Sequence, residues 1–266
     1  RSALDKDYSF RYLLENTNTY GANKITDVLI SLHSLFPDVF NNTGLDLNGK
    51  NNQPANPALT SGNLKNNVTI IIHGTLALNE PWYQQGGDFY DFLKTEIHNN
   101  RKRKLPNENP SSFNLHPFQW SGGNDHGLRI RAAVELKKWV DSEVNGTPNI
   151  YAHSHGANVA LYAASKLGLK INQLVTMGAP IRTEYLPNMK NINHIDSVFS
   201  VGDRIQKKGC IPNTRGEGRT LPDSSQIINY CAENERNLHK RPGHSELHEE
   251  KTWRHCGLLP IIGNGI

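Results

Sequence analysis

The hydrophobic pattern changes character at residue 68. From there, short apolar runs alternate with stretches of helical periodicity. Val68-Thr69-Ile70-Ile71-Ile72 has the length and β-branched content of a buried strand. After a glycine turn, Phe89, Phe92, Leu93 and Ile97 recur at the spacing of one helix face. A short strand around 117–120 precedes a second helical pattern, with Ala132, Ala133, Leu136, Trp139 and Val140 on one side. A strand is predicted at 149–152 and a helix over 157–167, where Ala157, Ala160, Leu161, Ala164 and Leu167 share a face. Strands over 173–177 and 195–201 follow, then a short helix near 245–254 and an apolar tail at 258–262. Short apolar strands alternating with helices predict βαβ units. The fold class is therefore α/β, a mainly parallel sheet with helices on both faces.

Two stretches break this rhythm. In residues 1–66, Ile25, Val28, Leu29, Leu32 and Leu35 predict one amphipathic helix over 24–36, and 41–67 reads as a long loop rich in Asn, Gly and Pro. This region is expected to be an N-terminal appendage packed on the main domain, or alternatively a shield over the mouth of a site. Residues 204–243 are polar and carry Gly209, Pro212, Gly216, Gly218, Pro222 and Pro242, which predicts an insertion or cap. The expected organisation is an appendage, 1–66, and one domain, 67–266, with the insertion 204–243.

Composition narrows the classes. In 266 residues, the hydrophobic share of 36% is low but clustered, which argues against global disorder. The longest apolar run is far too short to span a bilayer. Three cysteines exclude a dense disulfide scaffold; Cys210, Cys231 and Cys256 allow one disulfide and a thiol, or three thiols. The net charge of +4 falls short of a nucleic-acid-binding profile. The run Arg101-Lys102-Arg103-Lys104 is expected to be a solvated loop after a helix, with an anion-binding patch as the alternative. The chain starts at Arg1 without a leader, so a processed form is expected.

The chemistry concentrates at Asn149-Ile150-Tyr151-Ala152-His153-Ser154-His155-Gly156-Ala157. A strand runs straight into an Ala-rich helix with one serine at the junction, in the pattern A-x-S-x-G. Small residues two before and two after the serine suit a turn in which larger side chains would collide with neighbouring elements. A serine so placed sits at a helix N-terminus, where developing negative charge is favoured. It is the candidate nucleophile.

A serine hydroxyl needs a base, and the base an orienting acid. In the hydrolases whose nucleophile turn this stretch resembles, the order is Ser, then Asp or Glu, then His. Asp203 ends the apolar strand Ser197-Val198-Phe199-Ser200-Val201 through Gly202, and is the expected acid. Asp196 starts that strand on the wrong sheet edge, and Asp223 is held in reserve. His239, His244, His248 and His255 all qualify as base by order. His244, on a loop after Pro242-Gly243, is preferred. The oxyanion of an acyl-transfer intermediate needs two backbone N–H donors. His155 is expected to supply one and Thr75, in Ile72-His73-Gly74-Thr75, the other, with Leu76 in reserve and the Thr75 hydroxyl as a third donor. His73 is expected to orient this loop by hydrogen bonds.

With these pieces in view, the chain resembles the α/β-hydrolases of the lipase/esterase type from about Val68 to His244. The resemblance rests on His73-Gly74-Thr75, Ala152-His153-Ser154-His155-Gly156, Leu174-Val175-Thr176-Met177-Gly178-Ala179-Pro180, Gly202-Asp203 and Gly243-His244-Ser245. Trp82, Gly86-Gly87, Phe118-Gln119-Trp120-Ser121-Gly122 and Arg129 are similar to a group of bacterial lipase-like proteins that includes secreted antibacterial toxins. The resemblance implies cleavage of carboxylic esters through an acyl-enzyme, on lipid or phospholipid substrates, with no cofactor. It also implies peripheral membrane contact and an inhibitor or immunity protein as partner; a nucleic-acid partner is not expected, on the net charge given above. The chain departs from the lipase pattern at Ile181-Arg182-Thr183, where many lipases carry His and Gly. Its polar cap, with Lys207, Lys208, Arg215 and Arg219, favours an amphipathic or charged substrate. Three other readings stand beside it. His244 and His248, with Glu249 and His255, have a spacing that can chelate zinc, but the order is not that of the zincins. The same triad serves acyltransferases and amidases. A non-catalytic binding module on this fold would keep the shape without the reaction.

Overall fold

The computed structural model describes residues 64–209, 218–233 and 241–266. The helix expected over 24–36 and nearly all of the appendage lie outside the described residues.

Among the described residues, six strands form one parallel sheet in the order β2-β1-β3-β4-β5-β6. The strands are β1 (Val68–Ile72), β2 (Asn114–Phe118), β3 (Asn149–His153), β4 (Ile171–Met177), β5 (Ile192–Phe199) and β6 (Ile227–Cys231). The helices are α1 (Asp88–Lys104), α2 (His126–Glu143), α3 (His155–Leu167), α4 (Arg204–Gly209), α5 (Glu250–His255) and α6 (Leu259–Gly263). Alternating strand residues feed two cores. Val68, Ile70, Ile72, Ile150 and Ala152 meet α2 and α3 on one face. Ile71, Tyr151, Val175 and Val198 meet α1, Trp253 and Ile262 on the other. Burial on both faces explains why the central strands read as continuous apolar runs.

The chain leaves β1 for β2 on one side and returns to β3 on the other, so the strand order reverses between β1 and β3. This switch point, at the carboxyl ends of the two strands, is where such sheets bind ligands. Ser154 and the His73–Leu76 loop both stand there.

Several expectations shift. Ile227–Cys231 lies inside the stretch expected as an insertion, yet it pairs with β5 as the outermost strand. β2 holds Pro117, which an edge strand tolerates because one side needs no ladder partner. The basic run is not a loop. It is the last turn of α1, where cations suit the helix dipole, and Arg101 is buried with its guanidinium 2.8 Å from Glu108. Cys231 and Cys256 are free thiols. Cys210 lies outside the described residues. Among the described residues, no helix is long and apolar enough to cross a membrane.

Candidate active site

Ser154 links β3 to α3 with φ 53° and ψ −130°, a conformation that a non-glycine residue holds only under constraint. Its N–H donates to Met177 O at 2.8 Å, tying the turn to β4. The small residues around it are required by space. A Cβ on Gly156 would stand 2.4 Å from His73 O, and one on Gly74 would stand 2.7 Å from Ser154 Cβ. Ala152 is fully buried.

Asp203 lies just past β5, fully buried. One carboxylate oxygen accepts from Gln206 N–H at 2.8 Å, and the other lies 2.6 Å from His244 Nδ1. An ionised carboxylate only accepts, so His244 carries a proton on Nδ1 and turns Nε2 away from Asp203. Gly178, with φ 61°, closes over this pair. A Cβ there would lie 3.0 Å from Asp203 Oδ2 and 3.2 Å from His244 Nδ1. The His244 loop is fixed from both ends. Glu246 accepts from Gly243 N–H at 2.6 Å, and His153 Nε2 donates to His244 O at 3.0 Å. The His153 and His244 rings lie 4.5 Å apart, which brings the pair against the residue preceding Ser154. His248 stacks on Trp82 at 4.0 Å, and burial lowers its pKa to about 4. Burial, aided by His244 and His248, holds His153 well below the ordinary imidazole range. The His244–His248 pair weighed as a zinc chelate is thus otherwise engaged, one ring on Asp203 and the other on Trp82.

His155 opens α3, and its N–H has no intrahelical partner. The Thr75 N–H has no acceptor among the described residues, and the Thr75 hydroxyl is buried without a partner. Leu76 is removed as an alternative donor, because its N–H is given to Gly122 O at 2.8 Å. His73 faces Gly74 O at 2.8 Å and Trp120 O at 3.1 Å, and Trp120 Nε1 returns a bond to His73 O. Burial lowers the His73 pKa to about 4, so this ring is a neutral strut for the loop.

Other expected residues fall elsewhere. Asp196 sits within β5, buried, holding Gln173 at 2.6 Å and His194 at 2.9 Å. Asp223 is exposed. Arg219, expected on a solvent-facing cap, is buried and donates to the carbonyls of Val201 and Asp203. Gln206 donates to Ala179 O at 2.7 Å and to Arg219 O at 3.2 Å. These two supports of Asp203 carried no signal in the sequence. His239, Arg215 and the side chain of Lys208 lie outside the described residues.

A parallel sheet whose third strand ends in a strained serine, with a buried Asp–His pair arriving from later strands, decides the architecture. The fold is that of the α/β hydrolases. No family model and no curated protein sequence matches the chain. Among solved structures, it is similar to the mouse α/β hydrolase domain-containing protein 10 at 12% identity, over 73% of this chain and 87% of that one, with a TM-score of 0.43. It is also similar to the Pyrococcus furiosus esterase Pf2001, at 13% identity over 74% and 80% of the two chains and a TM-score of 0.43. An α/β serine hydrolase homologue from Coxiella burnetii aligns at 13% identity over 77% and 87%, with a TM-score of 0.41. Likeness this distant says nothing of substrate or reaction.

Proposed function

We propose that the protein is a serine hydrolase that cleaves carboxylic esters, lipid esters among them, through an acyl-enzyme. The observation that carries this reading is the 2.6 Å contact between His244 Nδ1 and the buried Asp203, set against the strained turn that presents Ser154. In this reading Ser154 Oγ attacks the ester carbonyl and its proton passes to His244 Nε2. Asp203 fixes the ring's orientation and balances the imidazolium. The oxyanion accepts hydrogen bonds from the N–H groups of His155 and Thr75 and from the Thr75 hydroxyl, whose unpartnered state suits it to a group that arrives only with substrate. Collapse expels the alcohol, which takes the proton from His244. Water then attacks the acyl-enzyme, with His244 accepting its proton, and releases the acid and Ser154.

Lipid character is supported by the rim. Leu76, Val201 and Ile205 are exposed, and all follow the carboxyl ends of strands, on the edge that carries Ser154.

The test is labelling with a fluorophosphonate probe and mass mapping of the adduct. The adduct is expected on Ser154 and should vanish in Ser154→Ala and His244→Ala. Asp203→Asn should slow hydrolysis of 4-nitrophenyl butyrate by roughly 10³–10⁴-fold, by loss of the correct tautomer. A folded wild-type protein that takes no label would overturn the reading.

A further inference from the structure

Next to Ser154, on α3, begins a second polar cluster whose side chains the reaction above does not use. His155, Asn158 and Tyr162 lie at i, i+3 and i+7 on one face of α3. Asn158 Nδ2 donates to His155 Nδ1 at 2.9 Å and to Pro180 O at 3.2 Å. Tyr162 packs against His126 and Tyr185. The Tyr185 hydroxyl accepts from Arg129 Nε at 2.8 Å and donates to His126 Nδ1 at 2.6 Å.

Arg129 belongs to the first turn of α2. Because β2 and β3 are parallel, α2 and α3 both start at the sheet edge that carries Ser154. The Arg129 residue is 3% exposed. Its other contacts are weak ones: Nη1 lies 3.5 Å from Asn124 Oδ1, and the guanidinium stands 5.7 Å from the centre of the Tyr185 ring. No carboxylate among the described residues makes an ion pair with it. A buried guanidinium that faces only neutral groups is costly, and native structures keep such charges paired. Arg182, two residues past Pro180 at the same edge, adds a second donor set. Its Nη2 contacts Glu184 at 3.0 Å, while its Nε is buried with no partner among the described residues. The nearby carboxylates are committed: Glu184 to Arg182, and an oxygen of Asp125 to the N–H of Leu128 at the start of α2. The neutral His155 ring, with Nδ1 turned to Asn158, adds no further positive charge beside the two guanidiniums. Burial, then Arg129 and Arg182, lowers its pKa to about 3.

We propose that Arg129 and Arg182 bind an anionic group, a carboxylate or a phosphate, carried by the ester substrate beside the bond that Ser154 attacks. The assignment rests on the ester-hydrolase reading and adds the substrate class. Each guanidinium keeps N–H donors beyond those given to Tyr185 and Glu184, and an oxyanion of the substrate would accept from them; a planar guanidinium suits such an oxyanion better than an ammonium. The assignment also gives a role to Arg182, which stands where the chain departs from the lipase pattern.

The experiment compares kcat/KM for 4-nitrophenyl hemiglutarate with that for its neutral methyl ester. The wild type should favour the charged ester by about tenfold or more, the range of one charge-assisted contact. That ratio should fall toward one in Arg129→Gln and in Arg182→Gln. Dihexanoyl phosphatidic acid against dihexanoylglycerol makes the same comparison for phosphate and tells the two anions apart. Independently, glutarate or inorganic phosphate should raise the Tm of the wild type and not of Arg129→Gln. Should Arg129→Gln not fold, Arg182→Gln, at a partly exposed position, carries both comparisons. Equal rates on charged and neutral esters in the wild type, or a ratio unmoved by the variants, would sink the proposal. No fluorophosphonate label together with a Tm rise in phosphate would instead sink the hydrolase reading and leave the anion site standing.

Discussion

Ser154 is held at a φ that costs roughly 1–3 kcal/mol for a residue with a Cβ, and its neighbours are what prevent relaxation. Gly156 is the tightest of them. Its place against the carbonyls of Ile72 and His73 lets α3 start within reach of β1, which is what puts His155 N–H and Thr75 N–H on one edge. Gly156→Ala therefore demands that β1 and α3 move apart. A loss of about 2 kcal/mol or more in urea denaturation is expected, together with loss of probe labelling. Gly243→Ala is the control. Its nearest neighbour to an added Cβ is Glu246 Oε2 at an ordinary 3.5 Å, so both readings should barely change. If the two variants behave alike, the crowding at Gly156 is not what shapes the turn.

At the scale of elements, the acid is held by a stretch that the sequence presents as surface. Arg219 reaches back from the approach to β6 to the carbonyls of Val201 and Asp203, capping the loop that carries the carboxylate. Arg219→Met removes both charge-assisted bonds and should lower stability by about 2 kcal/mol. It should also slow fluorophosphonate labelling of Ser154 several-fold, because Asp203 then wanders relative to His244. An unchanged labelling rate would show that the loop holds itself. This stretch also shows where sequence reading stops. β1, β3 and β4 were legible because they are buried on both faces and read as apolar runs. Ser154, Asp203 and His244 were legible because each follows a strand end or a glycine turn, which are local features. β6 was not, because Ile227-Ile228-Asn229-Tyr230-Cys231 is an edge strand with one buried residue and two exposed ones. Arg219, Gln206 and Arg129 were not legible as buried groups either. A polar side chain looks the same in a string whether it meets solvent or a carbonyl contributed by a distant strand. The basic run was misread for the same reason, since nothing local marks Lys104 as the helix end.

At the scale of the molecule, the buried imidazoles tie stability to pH. Burial lowers the pKa values of His73, His116 and His248 to about 4 and that of His155 to about 3, and it pushes His153 well below 6.5. In the unfolded chain these rings take up protons as the pH falls through 6.5, while the folded protein refuses them until near pH 4. The unfolded state thus binds more protons across this window, and stability rises with pH there. Tm should be nearly level above pH 7.5, fall steeply between pH 6.5 and 4.5, and be insensitive to moderate salt, since desolvation and not surface charge sets the shifts. A level Tm over that window would refute the account.

The contact between His244 and Asp203 spans 41 residues, and both lie far along the chain from Ser154 and Thr75. Each arrives on a separate crossover of the sheet, and such long-range pairings form late in folding. A growing chain that has emerged only as far as Met177 already carries the serine, its turn and its donors, but neither the base nor the acid. On the proposed assignment such a chain is chemically silent. Reactivity is then a property of completion: the cell that makes this protein meets an active hydroxyl only once the last strands have docked.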